Sequence, residues 1–500
     1  MRKNMLALMI IFLFSSACSK DSATTTTASS SSVVSFPTSF AVSSPTIGAS
    51  SFASLEDESI LAFTADTVSA SDSIASKVEK IDAIVEADTA AECAVSLSIA
   101  SSTNASCYGP TLTYTGHPDG APTGGNLPGG DLGIWSATGT GGEACAASQL
   151  NARMRGVSSY VDLGLFTMAS VVCVLNNNSQ ALPAAGANVD LTSLMSGKLT
   201  INGSAATVTA ASISRSSTDS GGQPVYTTSI TATQNSNLTY DIRLKHIPLE
   251  TSNATYKGKV SVKVSNSTGT RDGNCQDSAS QGTNEATSVS YEKSSSTNVR
   301  VMLKSAGFCT ASADPYASAT DFTVDLSKVS SGGVPSGWGG NGNYVLAEYN
   351  PEAGTGTYFY AWQAGKGDGN TRVFNSIISG TSGSRTGTSF FGFGTAITGT
   401  SFAGKIDRMI CNWAGPGNSH TGVSKVQKQV MSESSGVFAP TSSFITYDPT
   451  NTCESNSNTF SITANSITTT ADLTTSNLVD LSTVSTSIST DPTVPTNVDL

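Results

Sequence analysis

Five hundred residues carry only 13% charged side chains and a formal net charge of −11, which excludes the broad electrostatic attraction that nucleic-acid binding requires. Aromatics make up 7% while glycine alone contributes 46 residues, a balance that favours strands and loops over surface helices. The length allows about two to four domains.

The chain opens on a short basic start, with Arg2 and Lys3, followed by the apolar run "MLALMIIFLF" from Met5 to Phe14. That run is shorter than the roughly 20 residues a finished membrane span needs, and has the length of a signal-peptide core. Small residues then precede Cys18 in "LFSSACSK". The stretch resembles the signal of bacterial lipoproteins. The resemblance implies residues 1–17 as signal peptide, cleavage before Cys18, a diacylglyceryl group on its thiol and acylation of the new amino terminus. Because residue 19 is Ser rather than Asp, it also implies sorting to the outer membrane. Ser15 stands where that pattern usually has Leu. Ser15 and Ala17 also suit the small-x-small rule of the ordinary secretory peptidase, and on both readings the chain leaves the cytoplasm. Without Arg2 and Lys3 the net charge becomes −13.

Residues 18–53 are rich in Ser and Thr and have too little apolar surface to offset their ordering entropy. As a flexible coil of about 35 residues they reach roughly 30 Å, enough to act as a tether. Helical signals follow in 54–180, read as a small helical subdomain. Ile74, Val78, Ile81, Ile84 and Val85 recur at helical spacing over 72–87, after a capping Asp72 or Ser71. Residues 144–157 predict a second helix ended by Gly156, and 158–178 a nearly all-apolar third, best buried in a core. An antiparallel hairpin of these two would bring Cys145 to Cys173.

From about 195 the period changes to two. "YDIRLKHI", "YKGKVSVKVS" and "NVRVMLKS" each put apolar residues on one face. "NYVLAEYN", "TYFYAWQAG" and "TRVFNSII" follow with turn-rich joints, strong hairpin signals. Further strands are expected at 388–397, 404–413, 424–431, 442–447 and 459–463. The fold class expected is α+β, mainly antiparallel β: a β-meander body over 195–465 with one packed and one wet face, then a low-complexity tail over 466–500.

Cysteine arithmetic adds staples. With Cys18 acylated, eight of nine cysteines remain, and an even number outside the cytoplasm suggests four disulfides. Spacing suggests neighbours: Cys93 with Cys107, Cys145 with Cys173, Cys275 with Cys309, and Cys411 with Cys453. Clustered C-x-x-C or His ligands for zinc are lacking.

Signals for chemistry are weak. No G-x-S-x-G elbow occurs. His246 falls on an alternating strand, and His420 sits in a loop. The Gly- and Pro-rich loop 114–135 holds His117, Asp119, Asp131 and Trp135. Asp119 and Asp131 are candidate ligands for Ca2+ through carboxylate and backbone oxygens, though a plain, well-turned surface loop is the simpler explanation of the same residues. "GKGDGNTR" reads as a hairpin turn, since it lacks the helix of a phosphate loop. Glu348, near Tyr358, Tyr360 and Trp362, is a candidate sugar-binding strip; cross-strand aromatic pairing accounts for the same residues.

The function expected is non-enzymatic: an envelope lipoprotein with a binding or assembly role at the cell surface or in the periplasm. Its partners would be the membrane through its lipid, and an envelope protein, glycan or lipid ligand, with no cofactor beyond the possible Ca2+. A carrier enclosing an apolar lipid in a curved sheet, and a carbohydrate-active enzyme, are the alternatives. An apolar cavity would mark the carrier and two facing carboxylates the enzyme.

Overall fold

The computed structural model describes residues 80–97 (except 82), 112–113, 126–127, 143–217, 224–248, 255–267, 284–307 (except 296), 314–325, 342–364 (except 352), 371–394, 426–441, 445–449 and 462–465. The signal, tether and tail, and the strand expected at 404–413, lie outside these residues.

One long helix, α1 (Cys145–Asn177), precedes most of the strands. Short strands β1 (Val95–Leu97), β2 (Leu112–Thr113) and β3 (Asn126–Leu127) come before it. After it come β4 (Asn188–Asp190), β5 (Leu199–Ile201), β6 (Ser204–Ala205), β7 (Thr207–Arg215) and β8 (Tyr226–Gln234). The meander continues with β9 (Leu238–Pro248), β10 (Tyr256–Asn266), β11 (Glu285–Ser295), β12 (Asn298–Gly307) and β13 (Gly342–Asn350). It ends with β14 (Thr355–Ala364), β15 (Thr371–Ser379), β16 (Thr386–Gly394), β17 (Val426–Ser434), β18 (Val437–Pro440), β19 (Ile445–Pro449) and β20 (Ile462–Asn465).

From β7 to β17 each strand pairs with the next in sequence, and the whole forms one antiparallel sheet of 15 strands with β4 and β20 at its ends. The fold is therefore α+β and mainly antiparallel β, as the period-two segments anticipate. Small sheets β1–β5–β6 and β2–β3 stand apart from it. Residues Lys80, Ile81 and Ala83–Val85 are helical, within the helix expected over 72–87, of which residues 72–79 lie outside the described residues.

The two helices expected over 144–178 are one. Gly156 costs about 1 kcal/mol relative to Ala inside a helix, and the burial of Met154, Val157 and Val161 around it outweighs that cost. The helix is buried at every position from Leu163 to Leu175, so it is enclosed on more than one side. It is long and apolar enough to cross a membrane, and most of it is buried within the fold.

Its path runs crosswise to the strands. The Ala146 amide donates to Gln429 Oε1 of β17 at 2.9 Å, and the Arg153 guanidinium lies 4.1 Å over the Tyr360 ring of β14. A Cβ on Gly164 would stand 2.9 Å from Val260 Cγ2 of β10 and 3.2 Å from Leu244 Cδ1 of β9. The Ser170 hydroxyl donates to the Cys93 carbonyl at 2.7 Å. Eighteen residues of helix cover about 27 Å, while seven strand spacings from β17 to β10 cover about 34 Å. One helix thus lines an inner face across most of the meander, and helix and sheet share one apolar core.

The disulfide observed joins Cys93 to Cys173, with Cα atoms 5.4 Å apart. This corrects the expected Cys93–Cys107 and Cys145–Cys173 pairs. In a continuous helix Cys145 and Cys173 are about 42 Å apart, far beyond the 7 Å limit for a disulfide. Cys93 instead follows the turn after Lys80–Val85 and meets the last turns of α1, where Asn177 Nδ2 donates to the Ala87 carbonyl at 2.8 Å. Cys18, Cys107, Cys275, Cys309, Cys411 and Cys453 lie outside the described residues.

Candidate binding surface

Alternation along each strand sorts the sheet into two faces. Leu244 and Val260, which meet the helix, define the inner one. His246, Tyr256 and Tyr291 follow on that face near one sheet end: His246 Nδ1 lies 3.0 Å from the Tyr291 hydroxyl. A Cβ on Gly258 would stand 2.3 Å from the same oxygen, so only glycine lets Tyr291 lie across β10. Burial pushes the Tyr256 and Tyr291 phenols well above their ordinary value, and both stay protonated.

The aromatic strip expected around Glu348 is divided between the faces. Ala347 pairs with Tyr358 and Val345 with Tyr360, which places both tyrosines on the inner face, Tyr360 beneath Arg153 of the helix. Tyr358 stacks on Tyr349 with centroids 5.9 Å apart; Tyr360 donates to Asn343 Oδ1 at 3.1 Å. Glu348 pairs with Thr357, points outward and is exposed. Carboxylate and rings therefore do not form one strip. The Trp362 backbone pairs with Asn343 and Arg372. His117, Asp119, Asp131, Trp135 and His420 lie outside the described residues. Among the described residues no group of three or more His, Cys, Asp and Glu side chains comes together.

The outer face is organised in rows that sequence spacing did not reveal, because they depend on register across several hairpins. One row runs Lys257, Glu292, Arg300, Glu348 on β10 to β13, alternating in sign at each step. Opposite charges on facing strands each contribute roughly 0.2–1 kcal/mol. Arg300 Nε stands 3.9 Å from Glu348 Oε2. Past Thr357 the same row reaches Ile377 and then, across Thr388, Val430. These two are the exposed large apolar side chains among the described residues, at 41% and 39%.

A strap, residues 314–325, crosses the outer face over β9 to β11. It folds on itself through the Tyr316–Val324 bridge and is held to the sheet by side chains. Lys259 donates to Asp321 Oδ1 at 2.8 Å and to the Thr323 hydroxyl. Ser261 donates to the Tyr316 hydroxyl at 3.0 Å, and the Val324 amide donates to Ser288 Oγ at 2.9 Å. Arg243 lies 5.2 Å over the Tyr316 ring. Burial pushes the Asp321 carboxyl up, but hydrogen bonds from Lys259 and Thr323 outweigh it and hold the group below its ordinary value.

Beside the strap, Lys257 is fully buried. Burial lowers its ammonium to about 8, against the pull of Glu292. Burial likewise raises the Glu292 carboxyl, against Arg300 and Lys257. The arrangement can hold charge and donate hydrogen bonds.

No family model matches the chain, and neither a curated protein nor a solved structure does.

Proposed function

We propose that this chain is a non-enzymatic lipoprotein of a bacterial envelope, held to the outer membrane through Cys18 and binding an envelope component with the outer face of its sheet. The observation that carries the binding half is the helix. Positions Leu163 to Leu175 of α1 are buried all round against the inner, apolar face, where an apolar ligand of the carrier alternative would have to sit. The remaining sheet surface carries the alternating charges of β10 to β13 and the exposed Ile377 and Val430. Ile377 and Val430 give that face apolar contact points beside its charged row. The separation of Glu348 from Tyr358 and Tyr360 removes the aromatic strip on which the carbohydrate reading drew.

The anchoring half rests on "LFSSACSK", and one experiment tests it. Mass spectrometry of the membrane-bound protein should find an amino-terminal peptide that begins at Cys18 and carries the lipid mass. Cys18→Ser should release a soluble, folded chain, because two or more acyl chains are what make anchoring stable. An unmodified Cys18 in a protein that fractionates as soluble would sink the reading.

A further inference from the structure

Two buried donors on the outer face of β10 and β11 lack an acceptor. Lys257 is fully buried and its ammonium makes no hydrogen bond; Ser290 is 2% exposed and its hydroxyl makes none. Lys257 stands opposite Glu292, and Ser290 opposite Lys259. The two are therefore diagonal neighbours on one face, with Cα atoms roughly 7–8 Å apart, a span that a lysine side chain bridges. An ammonium offers three donors and no acceptor, and a hydroxyl offers one donor more. Buried donors of this kind are costly to leave unmade, and an oxygen acceptor with negative charge would meet both.

The adjoining lysine displays that chemistry. Lys259 meets the Asp321 carboxylate, which the strap carries onto the sheet. Asp321 serves Lys259, and it also accepts from the amide and hydroxyl of Thr323. Among the described residues, the charged groups facing this patch are Lys245 from β9, Lys257 and Lys259 from β10, Glu292 from β11, Arg300 from β12, Glu348 from β13 and Asp321 from the strap. Ile247 of β9 supplies an apolar wall directly opposite Lys257. A small anion here would meet the buried Lys257 ammonium in a setting where water screens it little.

We propose that Lys257 and Ser290 form an oxyanion-binding site that takes a single phosphate or carboxylate group. The proposal rests on reading the outer face as the binding surface and names the chemistry of what binds there. The source of the group is either a small solute or a larger envelope molecule, such as a lipid headgroup, that reaches in from the side of the strap.

Thermal unfolding of the full Cys18→Ser chain in phosphate, acetate and chloride at equal ionic strength tests this. Phosphate or acetate at about a hundred times its Kd should raise Tm by about 3 °C over chloride, and the shift should grow with the logarithm of anion concentration. Lys257→Met, which keeps an unbranched stem in place, should abolish the shift, and Ser290→Ala should at least halve it. Co-sedimentation with phosphatidylglycerol vesicles, lost in Lys257→Met, would assign the oxyanion to a lipid headgroup; a shift with the free anions assigns it to a small solute. If neither appears, or if both variants respond as the parent does, the site is overturned. Ser290→Ala removes one oxygen, so it keeps the test decisive even where Lys257→Met fails to fold. That failure would leave the anchoring reading intact, since the Cys18 peptide decides it separately.

Discussion

Arg385 and Glu433, 48 residues apart in sequence, form a two-pronged ion pair: Nε donates to Oε2 at 2.8 Å and Nη2 to Oε1 at 2.6 Å. The pair ties two turns and a strand end together. Arg385 also donates to the Gly354 carbonyl at 3.1 Å, and Glu433 accepts the Gly383 amide at 2.9 Å. The turns after β13 and β15 and the end of β17 are thus held at one point. Removing one partner strips a buried charged group of its two-pronged counterpart, which costs about 3–5 kcal/mol. Glu433→Gln should lower stability in urea by that order, and a change under 1 kcal/mol would show that the pair is solvated.

The same pair sets an acid limit. Hydrogen bonds from Arg385 hold the Glu433 carboxyl below its ordinary value of 4.5. A carboxyl lowered on folding stabilises fully above its unfolded value, and that contribution is lost as pH falls through the folded one. Chemical unfolding at stepped pH should show stability falling below about 4.5 in the parent, with a shallower slope in Glu433→Gln. Parallel curves would refute the assignment.

Lys257 gives the opposite limb. Its folded value of about 8 lies below the ordinary 10.5, so the unfolded chain binds more protons between those pH values. Stability should rise with pH across that window with a slope approaching one proton. In Lys257→Met this component should be absent. A difference of zero between the two slopes would mean the ammonium is solvated.

Two glycines of α1 should respond with opposite signs. Gly156 has nothing within 4 Å of an added Cβ, so Gly156→Ala should stabilise by up to about 1 kcal/mol. Gly164 meets Val260 at 2.9 Å, and Gly164→Val should destabilise by about 1–3 kcal/mol through overpacking. Calorimetry of both variants checks the pair. Equal responses would mean that the helix does not cross β10 there.

The disulfide is checked by peptide mapping without reductant, which should recover Cys93 linked to Cys173. Their separation of 80 residues makes the crosslink worth roughly 4.5 kcal/mol in the chain-entropy model. A map linking Cys93 to Cys107 and Cys145 to Cys173 would restore the neighbour scheme, and the second pair would contradict the continuous helix.

Much of the sheet was legible because its strands alternate sharply. Ile242 and Leu244, Val260 and Val262, and Val299 and Val301 stand against charged neighbours, and the observed strands extend the expected ones by a few residues. The weaker alternation of β7 and β8, "TVTAASISR" and "YTTSITATQ", singles out neither strand, since Thr and Ser serve either face. β11, "EATSVSYEKSS", is obscured in the same way. Gly156 misled for another reason: tertiary burial overrides a local stop signal. The outer-face row from Lys257 to Glu348 has no linear signature, because its members come from four strands and meet only through register.

The helix that spans the meander also sets the order in which the chain must assemble. Ala146 is 283 residues ahead of Gln429, the side chain that accepts its amide. The most apolar long segment therefore emerges from synthesis well before β17, the strand that covers its first turn, exists. Contacts this distant close slowly, and until they close α1 presents bare apolar surface of membrane-spanning length. The finished molecule hides this segment, yet during folding it is the part most exposed to aggregation and to capture by a bilayer.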